Sequence, residues 1–483
     1  MMVDERLNLT AALARFPDAH IENAAAVTKA LWVNNPKKVV VLDDDPTGTQ
    51  TVHGIPVITK WSADIFASLL RGSHRVFYVL TNSRSMSERD AVALTQDLVA
   101  DLIQASRETG IPYSIISRSD STLRGHFPAE TNAAMELIEA ATNTTFDGQV
   151  LIPAFFEGGR YTFDNINWVA DGDGLIPAGK TEFAKDPAFG YRASDLRMWV
   201  EEKTGGRVKQ EEVVCISIDT LRKSGSDSVC QQLMDAPKGS IIVGNAINYE
   251  DMYTLAAGFL KAESWGKQYL YRTAASFVPA YGDISLKPLL DDKELHDSYG
   301  RASKVGGLVV VGSHVRKTTE QLNHLLQMDG IAPIEVNVRE LLTPDSKENE
   351  IMRVTTQAND SLLSGHDTVI YTSREVIKGS DSTDYLRIGE TVANSLVQIV
   401  RRLQSQPRFF IAKGGITSST MVTEALEAQK ALVLGQILKG VPVWKIGPES
   451  RMPGLHFVIF PGNVGEVNAL SLAVQRLRGQ SHL

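Results

Sequence analysis

Along the first half of the chain, short apolar runs end in polar loops and alternate with longer stretches of helical period. Residues 5–34 set Leu7, Leu9, Leu13, Phe16, Ile21, Val27 and Leu31 among polar positions, a loose helical pattern broken at Pro17. It predicts a helical lead-in over residues 1–37. The run at 39–42 then empties into Asp43-Asp44-Asp45-Pro46-Thr47-Gly48-Thr49, the pattern of a buried strand reaching a polar loop. Further runs follow at 76–80, 113–116, 150–152, 213–218 and 241–243, with helical stretches at 87–109 and 129–141 between them. The pattern restarts at 307–311, followed by Gly312-Ser313-His314 and a polar helix over 317–327, then by runs at 369–371, 409–412 and 457–460. This alternation predicts an α/β protein of two domains, each with a largely parallel sheet flanked by helices and with ligands at the carboxyl ends of the strands. A charge-rich stretch, Asp291-Asp292-Lys293-Glu294-Leu295-His296-Asp297, suits a surface connection, so the boundary is set near residue 300. The expected domains are residues 1–300 and 301–483.

Length agrees, since a chain of 483 residues exceeds the roughly 250–300 at which single cores stop growing. Hydrophobic residues at 43% and charged ones at 22% indicate a folded globular chain. Forty-nine basic against 57 acidic residues leave a net charge of −8, which argues against a general nucleic-acid or anionic-membrane surface. Any phosphate site must be built locally. Cys215 and Cys230 fit no metal spacing and read as inert thiols of a reducing cytoplasm. The first 20 residues, with Asp4, Glu5 and Asp18, lack the apolar core of a secretory signal, and no apolar run reaches the length of a membrane span.

The candidate chemistry sits at the predicted strand ends. Three consecutive carboxylates, Asp43 to Asp45, repel one another and call for a cation, a substrate hydroxyl or a helix N-terminus; the plainer alternative is a solvated turn with one aspartate as a cap. Thr81-Asn82-Ser83-Arg84 ends the second run, and Arg118-Ser119-Asp120-Ser121-Thr122-Leu123-Arg124-Gly125 follows the third. Arginine forks suit a carboxylate or phosphate and aspartates suit hydroxyls, although a lone arginine is more often a surface ion-pair partner. Glu157-Gly158-Gly159-Arg160 and the tail Thr181 to Pro187 repeat the mixture. Together they suit a ligand with one anionic end and several hydroxyls.

In the second half, Gly312-Ser313, Lys413-Gly414-Gly415-Ile416-Thr417-Ser418-Ser419 and Pro461-Gly462-Asn463-Val464-Gly465 each follow a run, the second of them with a helix over 421–428 behind it. Such turns bring backbone N–H groups and hydroxyls to an anion, and each alone could equally be an ordinary turn. No G-x-x-x-x-G-K-[ST] is present, so this is not a P-loop.

On these residues the sequence resembles the four-carbon acid sugar kinases over nearly its whole length. The resemblance rests on Asp44-Asp45-Pro46-Thr47-Gly48, on Asp120 to Gly125, on Glu157-Gly158-Gly159-Arg160, and on the turns at Gly312-Ser313, Gly414 to Thr417 and Gly462 to Gly465. The sequence departs from the family pattern at Ile416, where an acidic residue is usual, at Arg118-Ser119 in place of Lys-Ile, and at Val315 in place of a serine. The resemblance implies a sugar-acid domain, an ATP domain with the active site in the cleft between them, and transfer to the terminal hydroxyl of threonate, erythronate or a 3-oxo-tetronate. ATP contact carries over to Ser313, Gly414, Gly415, Ile416, Thr417 and Gly462. Arg84, Arg118 and Arg124 are expected to grip the carboxylate, Asp44, Asp45 and Asp120 to hold hydroxyls, with Glu157 also on the substrate side and Asp45 as proton acceptor. Mg²⁺ is expected because ATP phosphates need charge neutralisation, with no ligand identifiable. A homodimer is the family-level expectation.

Two other readings compete. Residues 39–42 followed by Asp43 to Thr47 also fit the Asp-x-Asp-x-Thr start of haloacid-dehalogenase-type phosphatases, with Asp43 as nucleophile. A non-catalytic nucleotide- or acid-binding protein would keep the fold but leave the carboxylate crowding without a purpose. A dinucleotide-dependent dehydrogenase is disfavoured, since no G-x-G-x-x-G follows the first run.

Overall fold

The computed structural model describes residues 6–16, 21–296, 304–374 and 382–480, with only the backbone at 382–386. The fold is mixed α/β in two compact units: Met1–Val52 with Lys60–Leu286, and His53–Thr59 with Lys287–Leu483. The division falls before the boundary read from sequence, which itself lies outside the described residues, as do Asp4, Glu5, Pro17, Asp18 and Asp297. Instead of an open connection, Asp292–Leu295 forms a short helix capped by Asp291, with Leu295 buried.

In the first unit the strands lie in the order Val214–Ile216, Ser240–Gly244, Gly148–Ile152, Tyr269–Thr273, Tyr113–Arg118, Lys38–Asp43 and Val76–Leu80, every neighbouring pair parallel. Val39, Val40 and Val41 are fully buried, which is why this strand reads as a continuous apolar run rather than an alternation. Helix Glu88–Thr109 starts where the Ser87 side chain accepts from the Asp90 N–H and ends at Gly110, at φ 68°. From Lys38–Asp43 the chain goes first to Val76–Leu80 on one side and then to Tyr113–Arg118 on the other. The carboxyl end of Lys38–Asp43 is therefore a topological switch point, where diverging connections leave a crevice.

In this unit two features depart from the pattern reading. The lead-in is not all helix: Leu7–Asn8 is a strand in a small antiparallel sheet with Gly174–Pro177, Ile166–Asp171 and Arg160–Phe163, and helices Leu9–Leu13 and Ala24–Trp32 follow. The strand Tyr269–Thr273 was not expected, because its aromatic residues alternate with Leu270 and Arg272 rather than forming an aliphatic run.

The second unit has a parallel set, Ile331–Val336, Asp367–Thr372, Leu308–Val311, Phe410–Lys413 and His456–Phe460. An antiparallel extension through Val441–Ile446 and Lys430–Leu438 continues to Ile55–Ile58, so a strand from early in the chain belongs to this sheet. Leu308–Val311 has its next strands in sequence on one side and Phe410–Lys413 on the other, which makes a second switch point. No helix among the described residues is long and apolar enough to cross a membrane.

Candidate functional site

The switch point of the first unit is a buried lattice of carboxylates and guanidiniums. Asp43 ends its strand with 1% side-chain exposure, and Arg118 Nη1 lies 3.2 Å from its Oδ1. A Cβ on Gly48 would fall 2.0 Å from that oxygen, so the Thr47-Gly48 turn closes over Asp43 and only glycine fits there. Burial, partly offset by Arg118, pushes the Asp43 carboxyl well above the usual range.

Asp45 caps the Pro46–Thr49 turn, its Oδ1 accepting from the Thr47 N–H at 2.8 Å. Its Oδ2 is 2.6 Å from Arg84 Nη2. Burial opposes ionisation here, but Arg84 and the Thr47 hydrogen bonds outweigh it and hold this carboxyl below its ordinary value. Arg84 also reaches Asp120 Oδ1 at 3.3 Å, while Asp120 Oδ2 accepts from Arg124 Nε at 2.8 Å and from the Thr122 hydroxyl. Against burial, Arg124 and Arg84 hold Asp120 far below the carboxylate range.

Asp44 differs from its neighbours. It is 5% exposed, neither carboxylate oxygen has a hydrogen-bond partner among the described residues, and Arg118 and Arg84 stand off at 3.6 and 3.8 Å. Burial pushes its carboxyl up despite both arginines.

Of the residues expected on the substrate side, Asp44, Asp45, Arg84, Arg118, Asp120 and Arg124 meet in one ion-paired network. Glu157 has other partners, accepting from Tyr249 Oη at 2.7 Å and Ser276 Oγ at 3.5 Å. The tail at 181–187 does contribute: Phe183 lies under the guanidiniums of Arg124 and Arg160, at 5.1 and 5.9 Å, and Asp186 is 3.6 Å from Arg124. Sequence reasoning missed Arg272, buried on the unforeseen strand with Nη2 donating to the Arg124 carbonyl at 3.1 Å. The polar end of Tyr269-Leu270-Tyr271-Arg272-Thr273 was the available signal. It also missed Glu130, which passes for an ordinary acidic residue in the first turn of helix Ala129–Thr142.

In the second unit the three glycine turns converge at its switch point. A Cβ on Gly312 would sit 2.5 Å from Thr417 Oγ1, one on Gly414 3.1 Å from Ser313 Cβ, and one on Gly462 3.7 Å from Ser313 Oγ. Gly414, at φ 117°, caps helix Gly415–Thr420, which begins earlier than the sequence pattern suggested and runs into a wider turn at Met421–Ala425. Ile416 on this helix is 66% exposed. Gly414→Val therefore meets both a backbone conformation closed to valine and the Ser313 side chain, and is expected to cost about 1–3 kcal/mol of folding stability, read from urea unfolding.

Lys413 ties the turns together. Fully buried, it donates from Nζ to the carbonyls of Pro461 at 2.5 Å and Gly462 at 3.4 Å, over the Phe460 ring. Burial, aided by the positive Lys317, brings its ammonium down to about 7. Because the folded value lies below the unfolded one, its contribution is unfavourable below pH 7 and is relieved as pH climbs towards 10.5. The stability of wild type minus Lys413→Met should thus rise over that window by at most about 1.4 kcal/mol per pH unit, read from urea unfolding. Beside the turns, a cavity of about 560 Å³ is lined by Asn337, Arg339, Gln357, Ser373 and Arg374 among others, and Arg374 donates to the Ser313 carbonyl at 2.7 Å.

The first unit thus carries a sheet-end lattice suited to a polyhydroxy acid and the second a set of glycine turns suited to an anion. Comparison with known proteins agrees. The description "Sugar-binding N-terminal domain" matches residues 39–281 and "Nucleotide-binding C-terminal domain" matches residues 308–470. A D-erythronate kinase from Heliobacterium modesticaldum is 24% identical over 382 residues, covering 76% of this chain and 79% of that one. Among solved structures, a Haemophilus influenzae protein of the DUF1537 family is similar with TM-score 0.60 and 17% identity, over 90% of this chain and 98% of its own. A Salmonella typhimurium LT2 protein, provisionally titled a tRNA synthase, has TM-score 0.63 and 15% identity over the same shares. These two likenesses concern the fold alone. The chain belongs to the four-carbon acid sugar kinase family.

Proposed function

We propose that this chain is an ATP-dependent kinase that phosphorylates the terminal hydroxyl of a four-carbon sugar acid such as erythronate, threonate or a 3-oxo-tetronate. The observation that carries this reading is Arg84, which joins Asp45 and Asp120 at the switch point of the first unit. One fork between two carboxylates can turn to a substrate carboxylate while the aspartates take up hydroxyls. The relative's name, D-erythronate kinase, supports the substrate class.

Asp45 suits the proton acceptor's place because it is the most exposed of the three consecutive aspartates, at 18% against 5% and 1%. Phosphoryl transfer through a loose transition state asks little basicity of that group, so a carboxylate held low by Arg84 is adequate. The phosphatase alternative needs Asp43 open to a phosphoester, whereas this side chain is sealed by Gly48 and Arg118.

The phosphates are assigned to the turns at Ser313, Gly414, Gly415, Ile416, Thr417 and Gly462, with the cavity beside Arg374 as room for the nucleoside. Mg²⁺ is expected to arrive on those phosphates, whose charge it would neutralise. Incubation with ATP, Mg²⁺ and a panel of four-carbon acids tests the reading. Acid-dependent ADP formation is expected, and its absence with every acid would overturn it.

A further inference from the structure

Behind the lattice, still within the first unit, lies a small cavity of about 10 Å³ lined by Leu42, Asp44, Thr81, Ser83, Ser117 and Glu130 among others. That is the space one water molecule needs, and a buried water is stable only with polar partners to bind. Asp44 supplies two buried carboxylate oxygens that have no hydrogen-bond partner among the described residues, the Arg118 and Arg84 ion pairs to Oδ1 standing off at 3.6 and 3.8 Å. Ser83 and Glu130 supply polar groups on the opposite elements, the Ser83–Ser85 turn and helix Ala129–Thr142.

We propose that Glu130 is a pH-sensitive positioning residue for the sugar-acid site, joined to Asp44 through one water in this cavity, so that its ionisation weakens the hold on an anionic substrate.

The groups facing Glu130 come from every element around it. Ser83 and Asp44 line the cavity together with Glu130, the Glu130 N–H donates to the His126 carbonyl at 3.0 Å, and Asp44 and Arg272 act on its carboxyl as charges. The His126 ring stands on the same turn, with Nε2 3.1 Å from the carbonyls of Ser83 and Met86. Ser83 immediately precedes Arg84, so whatever fixes the one fixes the cation that joins Asp45 and Asp120.

Burial, with the Asp44 charge adding to it, raises the Glu130 carboxyl to about 7. Below that pH a neutral Glu130 can donate its proton to the shared water and leave Asp44 as the one negative charge at the cavity. Above it, a second carboxylate faces the first across one water, and negative potential builds behind Arg84 where the substrate carboxylate must bind. The substrate itself stays ionised throughout, because sugar-acid carboxyls titrate far lower.

This inference rests on the sugar-acid reading of the site, and its test separates the two. Calorimetry of D-erythronate and L-threonate binding at pH 6 and pH 8.5 should show wild-type affinity falling about fivefold with pH, the scale of one partly screened charge. In Glu130→Gln, neutral at both pH values and equal in shape, affinity should be independent of pH. An equal fall in Glu130→Gln would overturn the proposal and leave the substrate reading intact. If neither acid binds, it is the substrate reading that fails. The link to Asp44 is then decided by NMR titration of ¹³C-labelled glutamate carboxyls: a Glu130 midpoint near 7 that drops in Asp44→Asn supports it, and an ordinary or unmoved midpoint overturns it. The wild-type midpoint serves equally should Glu130→Gln not fold.

Discussion

Asp45→Asn is expected to lower turnover on a four-carbon sugar acid by about a hundredfold or more, with ADP affinity nearly unchanged. The amide keeps the shape and can still cap the Pro46–Thr49 turn, since its carbonyl oxygen accepts from the Thr47 N–H as the carboxylate does. What it loses is the capacity to take the hydroxyl proton and the charge that draws Arg84 to within 2.6 Å. Because Arg84 holds the Asp45 carboxyl below its ordinary value, Asp45 stays ionised through mildly acidic pH. Any acid-side loss of wild-type turnover near neutrality must then come from another group. Steady-state kinetics alongside ADP calorimetry checks this, and unchanged turnover would remove Asp45 from the role.

Arg84→Met should cost about 3–5 kcal/mol of folding stability, the usual effect of removing one partner from a buried ionic cluster. The guanidinium is 15% exposed and lies within 3.8 Å of Asp44, Asp45 and Asp120, all little exposed themselves. Without it those charges face one another with Arg118, Arg124, Arg160 and Arg272 left to compensate. Asp45 and Asp120 are both held below 3.8 in the folded chain, so the stability they gain from Arg84 is present above about pH 4 and is lost as pH falls through their folded values. The gap between wild type and variant, measured by denaturant unfolding, should therefore be full at pH 7 and shrink below pH 4. A gap that did not narrow in acid would mean that Arg84 stabilises by packing instead.

Much of the lattice was legible before folding because a strand end is a local signal. An apolar run that stops at Asp43, at Leu80 or near Arg118 marks where the chain leaves the sheet, and in a parallel sheet all such ends share one edge. Asp44, Asp45, Arg84, Asp120 and Arg124 could be grouped on that ground alone. Glu157 was grouped with them on the same rule, yet it turns to Tyr249 and Ser276, since sharing an edge does not fix which way a side chain points. Arg272 and Glu130 escaped because neither stands at the end of an aliphatic run; one lies on an aromatic strand and the other looks like a routine helix-start acid.

The sequence by itself determined many of the elements, the α/β class, the glycine turns and the strand ends where charge gathers, because aliphatic strand runs, helix caps and tight turns are set by near neighbours along the chain. Only the tertiary structure decided that Ile55–Ile58 joins the sheet of the second unit, that Lys413 pins the Pro461-Gly462 turn, and that Asp43, Asp44 and Asp45 have three different characters. Those outcomes depend on which strands pair and which side chains exclude water. Contacts of that kind span tens to hundreds of residues, and no local pattern records them.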